Sequence, residues 1–218
     1  ATVECEPKMR QWLLARLADA KGPRLGRESA GTLARAMVLA EDPVIAYHRI
    51  DALGIPSQAV LRALLEPGVA SDEFLCGFYS PIEDRELLDR VLARLPPESW
   101  SKAPEVWLHR AILQALAEQK NAAVHPILLA ANRPGTTLQA MLVEALEQVR
   151  SPVHAPVAGE VLVTGRFRTR PIRDRAIDLV VSMRSDEAGD YLLRAQRSWA
   201  DPVGRAALEV GFEKLVSW

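Results

Sequence analysis

Thr136-Thr137-Leu138-Gln139-Ala140-Met141-Leu142-Val143-Glu144-Ala145-Leu146-Glu147-Gln148-Val149 decides the fold class. Leu138, Met141, Leu142, Ala145, Leu146 and Val149 recur at offsets of three and four, which places them on one face of an α-helix and leaves the opposite face polar. Thr136 and Gln139 stand at capping-box spacing, in which the cap hydroxyl and the third side chain satisfy each other's backbone donors. The stretch therefore carries its own start signal as well as its own buried stripe.

The same pattern extends outward in both directions. Met9, Trp12, Leu13 and Leu17 form one stripe, Val60, Leu61, Leu64 and Leu65 another, and Leu87, Leu88, Val91, Leu92 and Leu95 a third. Towards the end of the chain lie Ile172, Ala176, Ile177, Val180 and Met183, then Tyr191, Leu192, Ala195 and Trp199. Asp42-Pro43 and Asp201-Pro202 supply an N-cap acceptor followed by a preset φ, and Ser80 with Glu83 repeats the capping-box spacing. Proline and glycine fill the gaps at Gly22-Pro23, Gly54-Ile55-Pro56, Pro67-Gly68, Pro96-Pro97 and Pro134-Gly135. Glu160 to Phe167 has apolar content that would suit a strand, but Pro156 and the neighbouring helices favour a short helix. The expectation is an all-α fold of about a dozen short helices, stacked as helical hairpins or an irregular α-solenoid. It spans residues 1–218 as a single all-helical domain, with a subdomain junction near 151–156, where Pro152 and Pro156 interrupt the pattern.

A chain of 218 residues with 49% hydrophobic and 25% charged residues can bury a core without metal or dense disulfides. Its 27 basic and 28 acidic residues leave a formal charge of −1, which gives no general attraction for nucleic acid. The most apolar run, Val124 to Ala131, contains His125 and Pro126 and is far short of a membrane span. The chain starts at Ala1 rather than Met, the form left by removal of a signal peptide or other trimming. Cys5 and Cys76 make an even count compatible with one disulfide. Together these set the expectation of a periplasmic or secreted protein, with the cytoplasm as the alternative.

Asp42-Pro43-Val44, followed by Asp51-Ala52-Leu53-Gly54, and the later run Asp201-Pro202-Val203-Gly204-Arg205-Ala206-Ala207-Leu208-Glu209-Val210-Gly211 resemble the helix openings of HEAT-like repeats. The resemblance covers a small part of the chain, and the segments between do not repeat with a clean period. It implies a curved stack of helices that presents a groove to partners.

Residue spacing offers little chemistry. His48, His109, His125 and His154 lie far apart, and neither cysteine belongs to a Cys-x-x-Cys pair, so no metal-ligand spacing is present. His48 and His109 fall inside helical patterns, as structural histidines do. Phosphate-binding glycine loops are missing, and no cofactor is implied. Ser99-Trp100-Ser101-Lys102 has Ser-x-x-Lys spacing without its companion motifs. The adjacent carboxylates Asp72-Glu73 and Glu83-Asp84 point apart on a helix and suit first turns better than a paired acid and base.

The most unusual segment is Gly165-Arg166-Phe167-Arg168-Thr169-Arg170-Pro171-Ile172-Arg173-Asp174-Arg175, with five arginines in one connection. Planar guanidiniums grip carboxylates or phosphates bidentately, and Phe167 offers an apolar anchor. Arg166, Phe167, Arg168, Arg170, Arg173 and Arg175 are therefore the candidate partner-binding residues. Trp100, between two serines in a proline-flanked connection, joins them as an expected exposed contact, whereas Trp12 and Trp199 sit on apolar stripes. The function expected is a non-catalytic protein-binding module, in its most specific form a bacterial periplasmic inhibitor or immunity protein that neutralises a secreted toxin or hydrolase. The alternatives are a helical hydrolase with a groove assembled from distant residues and a helical-repeat nucleic-acid binder.

Overall fold

The computed structural model describes residues 31–32, 34–36, 43–52, 55–102 and 107–217. The chain divides into two compact units, Ala1–Ala111 and Ile112–Trp218. Among the described residues every regular element is a helix. No helix among them is long and apolar enough to cross a membrane.

The first unit contains α1 (Pro43–Ala52), α2 (Ser57–Leu64), α3 (Asp72–Gly77), α4 (Arg85–Arg94) and a 3-10 helix, Pro97–Lys102. Its core is the sum of the predicted stripes: Val60, Leu61 and Leu64 from α2 and Leu87, Leu88 and Val91 from α4 are all buried, with Leu75 and Phe78 beside them. Asp72 and Glu73 do occupy a first turn, that of α3, under the Ser71 cap, which accepts from the Phe74 amide. The capping box expected at Ser80 and Glu83 does not form. Residues 78–84 run without helix, burying Ser80 and Ile82, and the Ser80 hydroxyl meets that of Ser57 at 3.2 Å. The helix waits for Asp84, whose carboxylate takes the Glu86 amide at 2.8 Å. Met9, Trp12, Leu13, Leu17, Cys5 and the Asp42 cap lie outside the described residues.

Helix α5 (Trp107–Glu118) carries residues of both units, and the second unit continues with α6 (His125–Ala130), α7 (Thr137–Val149), α8 (Ala155–Thr164), α9 (Arg170–Ser182), α10 (Ala188–Ser198) and α11 (Pro202–Val216). From α6 onward each helix packs on the next but one: α6 on α8 and α8 on α10, α7 on α9 and α9 on α11. Sequential neighbours close the gap between the two rows, as α8 does on α9 and α10 on α11. This pattern is a two-layer helical stack, which can bury every stripe because each helix is covered from the side as well as from its own hairpin partner.

Glu160 to Phe167 is helical through Thr164 and stops at Gly165, whose φ of +68° is the left-handed cap that glycine adopts without cost. Inside the same helix, a methyl group at Gly159 would overlap the Tyr191 ring of α10, so the absence of a side chain sets how closely these two helices approach. At the start of α7, Thr136 accepts the Gln139 amide, but the Gln139 side chain reaches past the cap to the Gly135 amide at 3.0 Å. Buried Gln139 also donates to Asn132 (3.1 Å), which in turn donates to Thr164 at 3.0 Å. Ser151 to Pro156 lies within the second unit, where the 3-10 turn Pro152–His154 leads directly into α8.

Candidate functional site: an arginine-bearing edge of the second unit

The connection from α8 to α9 is anchored before it is charged. Trp199 lies against Gly165 and donates its indole N–H to the Leu162 carbonyl at 3.1 Å, and the half-buried Phe167 meets the Trp199 ring edge-on at 5.9 Å. Trp199 is thus the core residue its stripe implied, and Phe167 is the anchor that fixes the arginines around it.

Those arginines separate into two groups. Arg173 is nearly buried and grips Asp174 through Nε and Nη2 at 3.0 and 2.9 Å, with Asp201 at 3.6 Å from Nη1. Arg175 makes a two-pronged contact with one carboxylate oxygen of Glu147 on α7. These two are occupied in holding α9 to its neighbours. Arg166, Arg168 and Arg170 are exposed instead. Arg168 donates to the Thr137 hydroxyl at 2.8 Å, and none of the three pairs with a carboxylate among the described residues.

The contacts also align the helix starts. Arg168 ties the beginning of α9 to Thr137 at the beginning of α7, and Arg173 ties its first turn to Asp201, the cap that accepts the Val203 and Gly204 amides of α11. The positive ends of α7, α9 and α11 therefore lie side by side on the edge that bears the three exposed guanidiniums, and their dipoles add to its attraction for anions. Beyond Arg170 a groove of about 470 Å³ opens between α9 and α11.

Trp100, expected as an exposed contact, is a core residue. It is 2% exposed and donates its indole N–H to the Leu95 carbonyl at 2.8 Å, because the 3-10 helix folds it back under α4. Trp107, which sequence reasoning passed over, is the exposed tryptophan among the described residues, and it lines an opening of about 310 Å³ in the first unit with Tyr47, His48 and Tyr79. Its position just ahead of the buried stripe Leu108, Ala111, Ile112 was the signal that could have found it. Ser99 spends its hydroxyl on the Pro96 carbonyl at 2.7 Å.

Two polar pairs were invisible in the sequence. Cys76, expected to bond Cys5, carries a free buried thiol and lies 3.9 Å from Nε2 of His109. Burial pushes this thiol up to about 11 and the imidazole down to about 4, so both groups are neutral at pH 7. That is the reverse of the thiolate and imidazolium a cysteine nucleophile needs. In the second unit, buried His154 donates from Nε2 to the Ala117 carbonyl at 2.8 Å, which leaves its Nδ1 to accept from Nε2 of His125 at 3.3 Å. Burial lowers the His154 pKa against the opposing pull of its bond to the Ala117 carbonyl, the nearby His125 lowers it further, and the two rings tie the 3-10 turn to α5 and α6. No group of three metal-ligating side chains occurs among the described residues. No family model, no curated protein and no solved structure matches this chain, so the reading of the site rests on the geometry of its own residues.

Proposed function

We propose that the chain is a non-catalytic protein-binding module whose contact surface is the arginine-bearing edge of the second unit. The observation that carries the reading is the division among the arginines. Arg173 and Arg175 are consumed by internal carboxylates, while Arg166, Arg168 and Arg170 stand exposed on a connection anchored by Phe167 and Trp199. A connection whose backbone is anchored in this way loses little backbone entropy when a carboxylate arrives, which favours a specific contact over a diffuse charge effect. In its most specific form the proposal is a periplasmic inhibitor or immunity protein that sets this edge against acidic residues of a secreted toxin or hydrolase. Many hydrolases work with exposed pairs of carboxylates, and a guanidinium docked on them would both bind and neutralise them.

The test is differential capture. Wild-type protein and the variant Arg166→Ala/Arg168→Ala/Arg170→Ala are immobilised side by side, with circular dichroism as the folding control. The proposal expects a protein retained by the first and lost by the second. Salt-sensitive retention of duplex nucleic acid with no protein partner would overturn it in favour of a nucleic-acid binder.

A further inference from the structure

The groove between α9 and α11 continues the arginine edge into an apolar trough. Ile177 and Gly211 form its floor, and Val203, Ala206 and Val210 form the α11 wall. Val203 and Val210 are 48% and 50% exposed. They stand seven residues apart on one helix, the spacing at which a helix presents a continuous stripe, and about 10 Å separates them along its axis. The buried face of α11 is a different one, centred on Gly204 and Leu208. The valine stripe is thus a second apolar face that the stack leaves uncovered among the described residues.

Charge along the groove is uneven. Asp174 is held by Arg173, and Asp178 is matched by Lys214 at 2.6 Å, so the carboxylates that line it already have cations. The surplus is positive and lies at one end, where Arg170 stands at the mouth without a carboxylate partner among the described residues. An occupant that complements both features carries apolar side chains over Val203 and Val210 and a carboxylate beside Arg170.

We infer that this groove seats an amphipathic α-helix of the protein partner, with apolar residues at i, i+3 or i+4 and i+7 against the valine stripe and acidic residues at the end that meets Arg170. The inference rests on the protein-binding reading above and specifies the partner's chemistry. The lining from Val203 to Lys214 spans about 16 Å at 1.5 Å per residue, room for a helix of about three turns. A nucleic-acid strand fits this lining poorly, since its phosphates would lie against two valines and beside Asp174 and Asp178.

Selection from a phage-displayed library of random 16-residue peptides on the full chain tests it. Enriched peptides should have apolar residues at helical spacing with Asp or Glu at one end, and a synthetic representative should protect α9 and α11 from hydrogen exchange. The substitution Val203→Asp/Val210→Asp should weaken that peptide at least tenfold, and Val203→Ser/Val210→Ser should weaken it less. Both sites are half-exposed, so each variant should keep the wild-type circular dichroism spectrum, and the exchange footprint on the wild-type chain tests the same site without any variant. A library that enriches nothing, peptides that are basic or extended, protection that falls elsewhere, or unchanged affinity in the folded valine variants would overturn the inference. Loss of partner capture with the arginine variant alone, and not with the valine variants, would overturn the helical occupant while leaving the arginine edge as the contact surface.

Discussion

The first unit turns its thiol and the imidazole beside it inward, and the second turns three arginines outward. Cys76, His109 and Trp100 form a sealed cluster, with the His109 and Trp100 rings 5.1 Å apart and the thiol held neutral by burial. Arg166, Arg168 and Arg170 lie in water on a connection locked by Phe167 and Trp199. The difference teaches how to separate structural polarity from available polarity in a helical stack. A polar group that has lost its solvent and found an internal partner reports on stability, and one that keeps its solvent on a fixed backbone is free to meet a ligand. Substitutions in the two regions should therefore sort cleanly into stability effects and binding effects.

The largest stability effect is expected at Trp100. Trp100→Ala removes a buried ring and its hydrogen bond to Leu95 and should cost about 3–5 kcal/mol in urea unfolding followed by circular dichroism. Trp107→Ala, at a residue 45% exposed, should cost no more than about 1 kcal/mol. Equal costs at the two positions would erase the distinction between the sealed cluster and the surface.

Acid should find the sealed cluster next. His109 titrates near 4 in the folded protein against 6.5 for the free side chain, so the unfolded chain takes up its proton first. The stability contribution is complete above about pH 6.5 and drains away as pH falls towards 4, by about 3 kcal/mol at 1.36 kcal/mol per pH unit. Urea midpoints measured across this range on wild type and His109→Leu should show the slope in the first and a flatter profile in the second. Parallel profiles would mean that His109 is solvated.

Gly159→Ala should cost about 1–3 kcal/mol, because the added methyl must displace the Tyr191 ring that packs over it. The triple alanine variant of Arg166, Arg168 and Arg170 should change stability by less than about 1 kcal/mol, since solvated side chains without carboxylate partners contribute little. A large loss of stability in that variant would transfer the edge from binding to folding.

How far the sequence could be read depended on the range of the interaction. The stripes at Val60 to Leu64, Leu87 to Val91 and Leu138 to Leu146, the Asp201 cap and the all-helical architecture are local, and helical periodicity encodes them directly. Ser80 and Glu83 mimicked a cap because the spacing is local while the burial of Ser80 and Ile82 that keeps the chain out of helix is not. Trp100 looked exposed for the same reason: its flanking serines and prolines describe the connection, and the fold beneath α4 decides its burial. Cys76 with His109, and His125 with His154, are brought together across about thirty residues of chain, beyond what any spacing rule reports. The arginine cluster was legible as a cluster. Its division into paired and free members was not, since it depends on Glu147 and Asp201 arriving from other helices.

The central claim is that the exposed arginines, and not the sealed groups, make the contact. Its most direct test is calorimetric titration of the captured protein partner into wild type and into the Arg166→Ala/Arg168→Ala/Arg170→Ala variant at one salt concentration, with circular dichroism confirming the fold. The account predicts a loss of affinity greater than about tenfold, as expected when desolvated guanidiniums lose carboxylate partners. An unchanged affinity in a folded variant would contradict it and return the three arginines to the solvated surface.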